Sequence, residues 1–503
     1  MNQEVKTING YNIKDEKAIR TYDTVALMQA DSKLSEGQHV KTRGYYEIND
    51  GGDAYYKIRN ITENDSVTDY DKIFLNNGLI AEFINPNFDF VNPLQFGAKG
   101  DNVTDDSAII RYALKYKKLR ITKQHLISTP ITGLWEVTII GERASQNGNH
   151  GELNFDTGNN YGLIVDGYCL IENLIIKGEK CLKIYKWNNI IRNNQFIGNE
   201  ESSSDNAIKF GSDVVWFGEN IVEYNTFKNF NIAIDCYTET TVASDEYINN
   251  NIIIACGYFI KGVFGATFIR ENHDYSENGI LLYGNDNMIE NNYFDNGTNT
   301  SIKIQSFNHS LSISNNLFLV IEKNLDNPAE DTTCVIINDI GSDELTNCLS
   351  FCNNRTSGKR EDVVLLDLNW KKVYGVFEGN KAPQLYKQVN FNSVINSKGL
   401  CMKGTATFIS NGTQQKIKTY DGKIKLDLSI PQGDYSASYL FTHNLTQIER
   451  DYYFTFYHST GTGVGKFRKD GNIQFLYPYT FTDPVVDCII DCGISEDNYN
   501  TFS

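Results

Sequence analysis

Two short segments near the middle of the chain carry the side chains best suited to proton-transfer chemistry. In the first, Asp235 precedes Glu239 by four residues. In the second, Asp274 stands beside His273 and follows Arg270 by four residues. Two carboxyl groups about 5 to 9.5 Å apart can cleave a glycosidic bond, one of them as acid and the other as base or nucleophile. The catalytic candidates are therefore Asp235, Glu239, Asp274, His273 and Arg270.

A repeated pattern surrounds these segments and predicts how they are positioned. The pattern is an apolar residue, two variable residues, Asn, one variable residue and a second apolar residue. Its asparagines are Asn194, Asn225, Asn250, Asn272, Asn292, Asn316, Asn354 and Asn380. An earlier copy has Leu174 in the Asn position. Repeats whose length varies by loop insertion, without a 3.6-residue periodicity, indicate a coil of stacked strands in which asparagines line one turn.

A second alignment follows each Asn turn and predicts which side chains face outward. If the strands alternate strictly, their inner faces are mostly apolar, and Lys209 is an exception. The predicted outward column is Phe210, Asp235, Lys261, Tyr283 and Gln305. We expect Phe210, Lys261, Tyr283 and Gln305 to bind a ligand, together with Trp216 and Tyr237, whose rings can stack on a sugar.

Each chemical candidate has a plainer alternative. Asp235 can be a solvated acid paired with Lys261 on the next strand. Asp274 fills a slot that holds Phe on other repeats, where a carboxylate is costly unless it is paired or exposed. A local loop would leave Asp274 on the surface, bonded to Arg270. In the long repeat 194–225, the acids Glu200, Glu201 and Asp205 with Trp216 and Phe217 can form a binding wall or an ordinary solvated loop.

The composition excludes several classes of function. The net charge is −17, with 46 basic and 63 acidic residues, which argues against binding a nucleic-acid backbone. No apolar run is long enough to span a membrane, and the first residues lack the apolar core of a secretory signal. The ten cysteines are scattered and are interpreted as reduced. No phosphate-binding loop, nucleophile elbow or metal-ligand pattern is present, so we expect no cofactor and no metal.

The sequence divides into three parts. We expect an N-terminal module over residues 1–90, a strand coil over 91–395 and a β-sandwich-like domain over 396–503, where alternating segments such as YYFTFYH replace the Asn repeat. Residues 104–118 predict a helix that begins at Thr104 as N-cap and covers the open end of the coil.

Two segments resemble a known superfamily. VNPLQFGAKGDNVTDDSAIIRYAL, from Val91, resembles the entry motif of the pectate-lyase-like β-helix proteins, with Asn102 in place of the common Gly. The segment from Thr21 to Ile58 resembles the module that precedes the β-helix in bacteriophage tailspikes. The resemblance implies an all-β, right-handed, single-stranded parallel β-helix with an N-terminal capping helix. It also implies a homotrimer on the virion tail that is joined to a tail or connector protein by residues 1–90, with residues 396–503 serving trimerisation or carbohydrate binding.

The leading hypothesis is a phage tail receptor-binding protein that binds, and cleaves, a capsule, exopolysaccharide or wall teichoic acid of the host. Hydrolysis by paired carboxylates is favoured over β-elimination, and Arg270 with His273 would suit a phosphodiester polymer. The first alternative is a non-enzymatic adhesin with the same coil. The second is a bacterial polysaccharide lyase. Synthesis in the host cytoplasm, with release by lysis, is expected.

Overall fold

A computed structural model describes most of the N-terminal four-fifths of the chain. The described residues are 7–8, 11–12, 19–85, 89–142, 151–199, 205–211, 216–236, 242–295, 300–306, 309–319, 333–338, 348–357, 363–369, 374–382, 384–386 and ten strands beyond residue 404. The chain divides into two compact units, Met1–Ile208 and Lys209–Ser503. Each is described here separately.

The first unit opens with a small mixed sheet. Its strands are Arg20–Tyr22, His39–Thr42, Ala54–Asn60, Lys72–Phe74 and Leu79–Ile84, and a hairpin of Thr7–Ile8 and Tyr11–Asn12 precedes them. The helix Val25–Ala30 begins at Thr24, whose hydroxyl accepts from Leu27 N. Asp71 fastens this module to the following helix, because its carboxylate accepts from Tyr112, Lys115 and Tyr116.

The parallel β-helix of the first unit is built from three faces. Face A precedes the asparagine turn, face B follows it, and face C carries the longer strands. Face A contains Lys118–Ile121, Thr138–Gly141, Leu170–Glu172 and Ile190–Arg192. Face B contains Asp101–Asp105, Gln124–Ile127, Glu152–Phe155, Ile175–Lys177 and Gln195–Ile197. Face C contains Ile131–Trp135, Leu163–Gly167, Lys180–Ile184 and Asn206–Phe210, which runs into the second unit.

The second unit repeats the same three faces. Face A contains Ile221–Glu223, Tyr247–Asn249, Phe268–Arg270, Asn287–Glu290, Ser310–Ser314, Cys348–Cys352 and Tyr374–Glu378. Face B contains Thr226–Lys228, Ile252–Ile254, His273–Tyr275, Tyr293–Phe294, Leu317–Leu319 and Arg355–Ser357. Face C contains Ile232–Cys236, Tyr258–Gly265, Ile280–Tyr283, Ile302–Ser306, Thr333–Asn338, Val364–Asn369 and Gln384–Tyr386. An added pair, Trp216–Gly218 and Val242–Ser244, lies beside face C.

The predicted capping helix is shorter than expected and begins later. Thr104 lies in the strand Asp101–Asp105, where Asp101 accepts its N–H and hydroxyl. The helix is Ser107–Ala113, followed by a 3-10 turn Leu114–Tyr116, and a second 3-10 turn is Pro93–Phe96. Asp106 cannot cap the helix in the usual way, because its carboxylate accepts from the Lys99 and Gly100 N–H groups and bonds His125.

The C-terminal strands pair as a barrel. The closed order is Thr405–Ser410, Thr413–Tyr420, Lys423–Leu426, Cys488–Ser495, Tyr452–His458, Gly461–Phe467, Asn472–Phe475 and Leu440–His443. A separate antiparallel pair is formed by Gly433–Tyr435 and Tyr479–Phe481. Closed antiparallel pairing replaces the two facing sheets expected from the sequence.

Left-handed residues bound the short strands of face A. Tyr247–Asn249 lies between Asp245 and Asn250, whose φ angles are 58° and 55°. Phe268–Arg270 lies between Ala266 and Glu271, at 48° and 58°. Each three-residue strand therefore buries its middle side chain and turns its outer two toward solvent.

The asparagine ladder lies one residue after each left-handed corner. Asn251 is 1% exposed, and its Oδ1 accepts from both N and Nδ2 of Asn225. Its own Nδ2 donates to Asn272 Oδ1 and to the carbonyl of Val222. The bonds continue through Asn292, Asn316, Asn354 and Asn380. The assignment of Asn250 to this column was wrong: the doublet Asn250–Asn251 offers two asparagines, and the first one supplies the left-handed turn.

A second buried polar column, missed in the sequence, lies at the corner before face A. Its members in the second unit are Asn220, Glu246, Thr267 and Asn287. Glu246 is fully buried, and its two oxygens accept from the N–H and the Nδ2 of Asn220, at 2.9 and 3.1 Å. Burial, reinforced by the charges of Asp245 and Glu219, raises the pKa of Glu246 well above its ordinary value of 4.5. The folded state therefore favours the neutral form of this carboxyl.

Replacing Asn251 should cost far more than replacing its neighbour. In Asn251→Ala the two Asn225 donors and the Val222 carbonyl lose their partner, at about 1–3 kcal/mol for each unsatisfied buried group. Asn250→Gly should change the free energy of unfolding by less than about 1 kcal/mol, because glycine accepts a left-handed backbone. Urea denaturation of both variants measures the difference. Equal losses would place the ladder at Asn250 after all.

The stability added by Glu246→Gln should grow with pH. Below pH 4.5 the carboxyl is neutral in both folded and unfolded chains, so its ionisation contributes nothing. Above that value the unfolded chain ionises first, and wild-type stability falls until the pH passes the raised pKa of the folded state. The variant has no carboxyl at this position and therefore lacks this loss. In thermal unfolding between pH 4 and 8, the difference in melting temperature between Glu246→Gln and wild type should increase with pH. Glu271→Gln, at an exposed position, should follow wild type. A difference in melting temperature that stays constant with pH would contradict a raised pKa of Glu246.

Candidate functional site

Asp235 lies in a buried ion pair. Its Oδ2 is 2.5 Å from Lys209 Nζ, and the two side chains are 5% and 16% exposed. Lys261 is its neighbour in register on the next strand, but the Lys261 ammonium lies 5.1 Å from the centre of the Tyr258 ring. The partner expected from the sequence is thus replaced by Lys209. The Asp235 carboxylate is therefore paired with a cation and almost closed to solvent.

The predicted outward column does not form a single line. Ala207 and Ile208 are both buried, so alternation shifts by one residue and Phe210 points inward, fully buried, with its ring centre 5.8 Å from that of Phe264. Phe210 therefore cannot contact a ligand, and its assignment was wrong.

A later shift separates the rest of the column. Lys261 opposes Leu281, and Tyr283 opposes Val263 and Ser306 across a local irregularity that displaces Gln305. Gln305 accepts from Asn338 Nδ2 at 3.4 Å. The three side chains are all partly exposed, but they do not stand one above another.

Several candidates lie outside the described residues. These are Tyr237, Glu239, Glu200 and Glu201, together with the side chains of Trp216 and Phe217. Asp205, expected on a solvated loop, is fully buried and accepts from Asn199 N at 3.1 Å.

Asp274 takes the place of a core aromatic residue. It is fully buried and stands in register between Ile253 and Phe294. One of its oxygens accepts from the Ser276 N–H at 2.9 Å. The two interpretations open from the sequence, a catalytic cluster with His273 and a surface acid bonded to Arg270, both placed Asp274 where a ligand or solvent reaches it. The structure instead places it inside the coil.

His273 points the other way, into an aromatic cluster on the outside of face B. Its ring centre is 4.1 Å from that of Tyr275 and 4.5 Å from that of Tyr293. Tyr275 is 41% exposed, and Ile252 and Ile254 on the preceding strand are 42% and 37% exposed. The sequence identified His273 but not the tyrosines, although both occupy outward slots that can be read from the spacing after Asn272 and Asn292.

Burial and nearby charge tune this cluster. Burial lowers the pKa of His273, and the negative charge of Asp295 partly opposes the effect. Burial together with Asp295 and Tyr275 raises the pKa of Tyr293. His273 Nε2 is covered and has no hydrogen-bond partner. The lowered pKa favours the neutral imidazole at neutral pH, which can accept a proton at its unprotonated ring nitrogen.

Arg270 belongs to a different surface. It lies on face A, before the turn of Glu271 and Asn272, with its guanidinium 4.9 Å from the centre of the Phe268 ring. Phe268 stacks on Tyr247 with ring centres 5.0 Å apart and planes 8° from parallel. Arg270 Nε is buried without a partner. The segment Arg270–Asp274 therefore divides its side chains among face A, the core and face B.

The described residues contain neither a metal-binding group nor a membrane-spanning helix. No group of three or more His, Cys, Asp and Glu side chains is arranged there to hold a metal ion. Likewise, no helix in this part of the chain is long and apolar enough to cross a membrane.

Similar solved structures include several phage proteins. The tailspike protein 2 enzymatically active domain of bacteriophage CBA120 is 11% identical, with a TM-score of 0.47, over 92% of this chain and 80% of that chain. The tailspike protein of Acinetobacter baumannii phage AM24 is 11% identical, with a TM-score of 0.48, over 95% and 94%. Pantoea stewartii WceF, described as a glycan biofilm modifying enzyme, is 11% identical, with a TM-score of 0.37, over 96% and 72%. No family model and no curated protein matches the sequence.

Two substitutions at Asp274 should separate a structural role from a catalytic one. Asp274→Asn keeps an acceptor for the Ser276 N–H and removes the charge, so folding and activity should both persist. Asp274→Ala leaves that N–H unpaired and should lower the free energy of unfolding by about 1–3 kcal/mol. Denaturation and polymer-cleavage assays on both variants decide the question. A stable but inactive Asp274→Asn protein would make Asp274 catalytic.

Proposed function

We propose that this protein is a phage tail receptor-binding protein that binds a cell-surface glycan of the host and hydrolyses it at the aromatic cluster of face B. The cluster consists of His273, Tyr275 and Tyr293, with Asp295 beside it. The resemblance of Thr21–Ile58 to the tailspike N-terminal module, followed from Val91 by the pectate-lyase-like entry motif, supports this setting, in which residues 1–90 attach to the tail or connector protein and each appendage contains three copies.

The observation that carries the proposal is the grouping of three partly exposed rings on two successive strands of face B. The C–H face of a sugar packs on aromatic rings, whose faces carry partial negative charge. Ile252 and Ile254 extend the apolar part of this surface by one coil. The tyrosine hydroxyls and His273 supply polar groups that can orient a bound saccharide, as specific sites require.

The accessible candidate for proton transfer is His273. A neutral imidazole can take a proton from water as the water attacks the anomeric carbon, a contribution of about 10²–10⁴ in rate. The bond from that carbon to the glycosidic oxygen breaks, the leaving oxygen takes up a proton from solvent, and the imidazolium returns its proton to solvent. Asp295 can stabilise the imidazolium that results. This arrangement differs from the carboxylate pair expected from the sequence, because Asp235 is ion-paired and Asp274 is in the core.

A second function, binding without cleavage, is favoured by a specific observation. Both described carboxylates that were expected to cleave the polymer are buried, at 4% and 0% exposure. An adhesive coil would use the same rings and would need no proton transfer.

Incubation with purified capsule, exopolysaccharide or wall teichoic acid should distinguish these functions. We expect polymer mass, measured by light scattering after size exclusion, to fall with wild type and to fall at least about 100-fold more slowly with His273→Ala. The rate should also drop on acidification, with a midpoint below pH 6.5, because protonated His273 cannot act as base.

The control is His309→Ala, at an exposed histidine of the same unit that pairs with Asp286 at 3.5 Å. It should cleave like wild type. Binding at constant polymer mass would establish an adhesin, and absence of both binding and cleavage would contradict the proposal.

A further inference from the structure

Three aromatic residues form an exposed group in the first unit that the proposed function does not use. Trp135, Tyr168 and Trp187 occur at the same corner of three successive coils, between face C and face A. We call them the aromatic corner. Trp135 ends the strand Ile131–Trp135, Tyr168 follows Leu163–Gly167, and Trp187 follows Lys180–Ile184. They contain two of the four tryptophans of the chain.

The backbone and a neighbouring glycine hold the rings in place. Tyr168 N donates to the Trp187 carbonyl at 3.2 Å, which ties the second coil to the third. The Trp135 and Tyr168 ring centres are 5.2 Å apart, with planes at 70°. A Cβ at Gly167 would lie 2.9 Å from Trp135 Cζ3 and 3.1 Å from the Trp187 carbonyl oxygen. The chain therefore leaves out a side chain where the indole packs.

Cations border the same rings. Lys186 Nζ lies 5.4 Å from the centre of the Trp135 ring, and Lys117 Nζ donates to the Trp135 carbonyl at 2.7 Å. The surface thus combines ring faces with ammonium groups that can donate to hydroxyl or carboxylate oxygens.

Tyr168 is exposed at a conformational cost. Its φ is 55°, a left-handed value that is unfavourable for a bulky residue. In other coils the same corner holds Asn188, Asp245 and Asp286, which tolerate this backbone more readily, and also Glu136, Glu219 and Ala266. Tyr168 nevertheless leaves its ring 50% exposed, and Trp187 is 38% exposed. What distinguishes Tyr168 from Tyr224, which has the same φ and a similar exposure, is the neighbouring aromatic ring of Trp135 and the exposed Trp187 in the next coil.

The character of the exposed surface favours a saccharide over a protein partner. Among the described positions from 131 to 199, Tyr168 and Trp187 are the only large apolar side chains that are strongly exposed. The core of a surface that meets a second copy of the chain would be expected to be depleted in lysine, whereas Lys186 and Lys117 border these rings. Here rings and ammonium groups alternate, which suits the mixed C–H and hydroxyl surface of a sugar.

We propose that the aromatic corner is a second glycan-binding subsite, which stacks a sugar ring on Tyr168 and Trp187 and retains the polymer without cleaving it. This subsite proposal rests on the proposed function only for the class of polymer that is bound. Its residues lie in the first unit, whereas His273, Tyr275 and Tyr293 lie in the second.

Affinity electrophoresis of the full chain tests the subsite, in gels containing dextran, hyaluronan, purified capsule polysaccharide or purified wall teichoic acid. Trp187→Ala and Tyr168→Gly should each weaken retention by at least tenfold in the gel that retards wild type. Glycine accepts the left-handed backbone, so Tyr168→Gly should keep or raise the melting temperature while it loses retention. The matched control is Tyr224→Gly, since Tyr224 also has a φ of 55° and is 56% exposed.

The outcomes separate this subsite from the proposed function. Weaker retention in both corner variants, with wild-type retention in Tyr224→Gly, supports the subsite whether or not polymer mass falls. Unchanged retention in both corner variants overturns it even where wild type cleaves the polymer. No retardation of wild type in any gel also overturns it. A changed molar mass of Trp187→Ala in light scattering would make the corner a contact between copies and overturn it as well.

Discussion

The satisfaction of buried amide groups at the sharp corners is the constraint on which the coil depends. A strand of three residues can bury only one side chain, and the chain must then turn within two residues. At that turn a backbone N–H faces the interior, where an unpaired donor costs about 1–3 kcal/mol. Asn251 resolves this by accepting two donors from the coil before and giving its own amide to Val222 and Asn272. Each amide therefore bridges neighbouring coils, and the ladder sets their register.

The second polar column shows how far this constraint reaches. At the other corner the same requirement is met by Asn220, Thr267 and Asn287, and in one coil by a carboxyl, Glu246. A carboxyl can accept as an amide does, but only its neutral form is tolerated without a cation. The stacked acids Asp245 and Glu219 favour that neutral form further. Corner geometry thus imposes a protonation state on Glu246.

The sequence predicted the coil and one of its columns because identical turns require similar residues at similar spacing. Prediction failed where two adjacent residues satisfy the same pattern, as at Asn250 and Asn251. It failed again at the first strand of the outward column, where Lys209, the exception on the predicted inner face, is partly exposed and pairs with Asp235, whereas Phe210 is buried. The barrel pairing beyond residue 404 depends on contacts between distant strands, which alternation within one strand does not encode.

The candidate site could be predicted only in part, for a related reason. Adjacent residues in a strand project to opposite sides, so His273 and Asp274 cannot belong to one cluster however close they are in sequence. Residues that do share a surface, such as His273 and Tyr293, are 20 positions apart and are joined by coil stacking. In this fold a cluster of functional side chains is assembled along the stack from residues of successive coils. The left-handed residues of the corners extend the same logic, because their side chains are exposed or half-buried, whereas the residue that follows most of them is buried. Tyr168 is such a position, where the backbone strain of a left-handed tyrosine is acceptable if the exposed ring binds a partner.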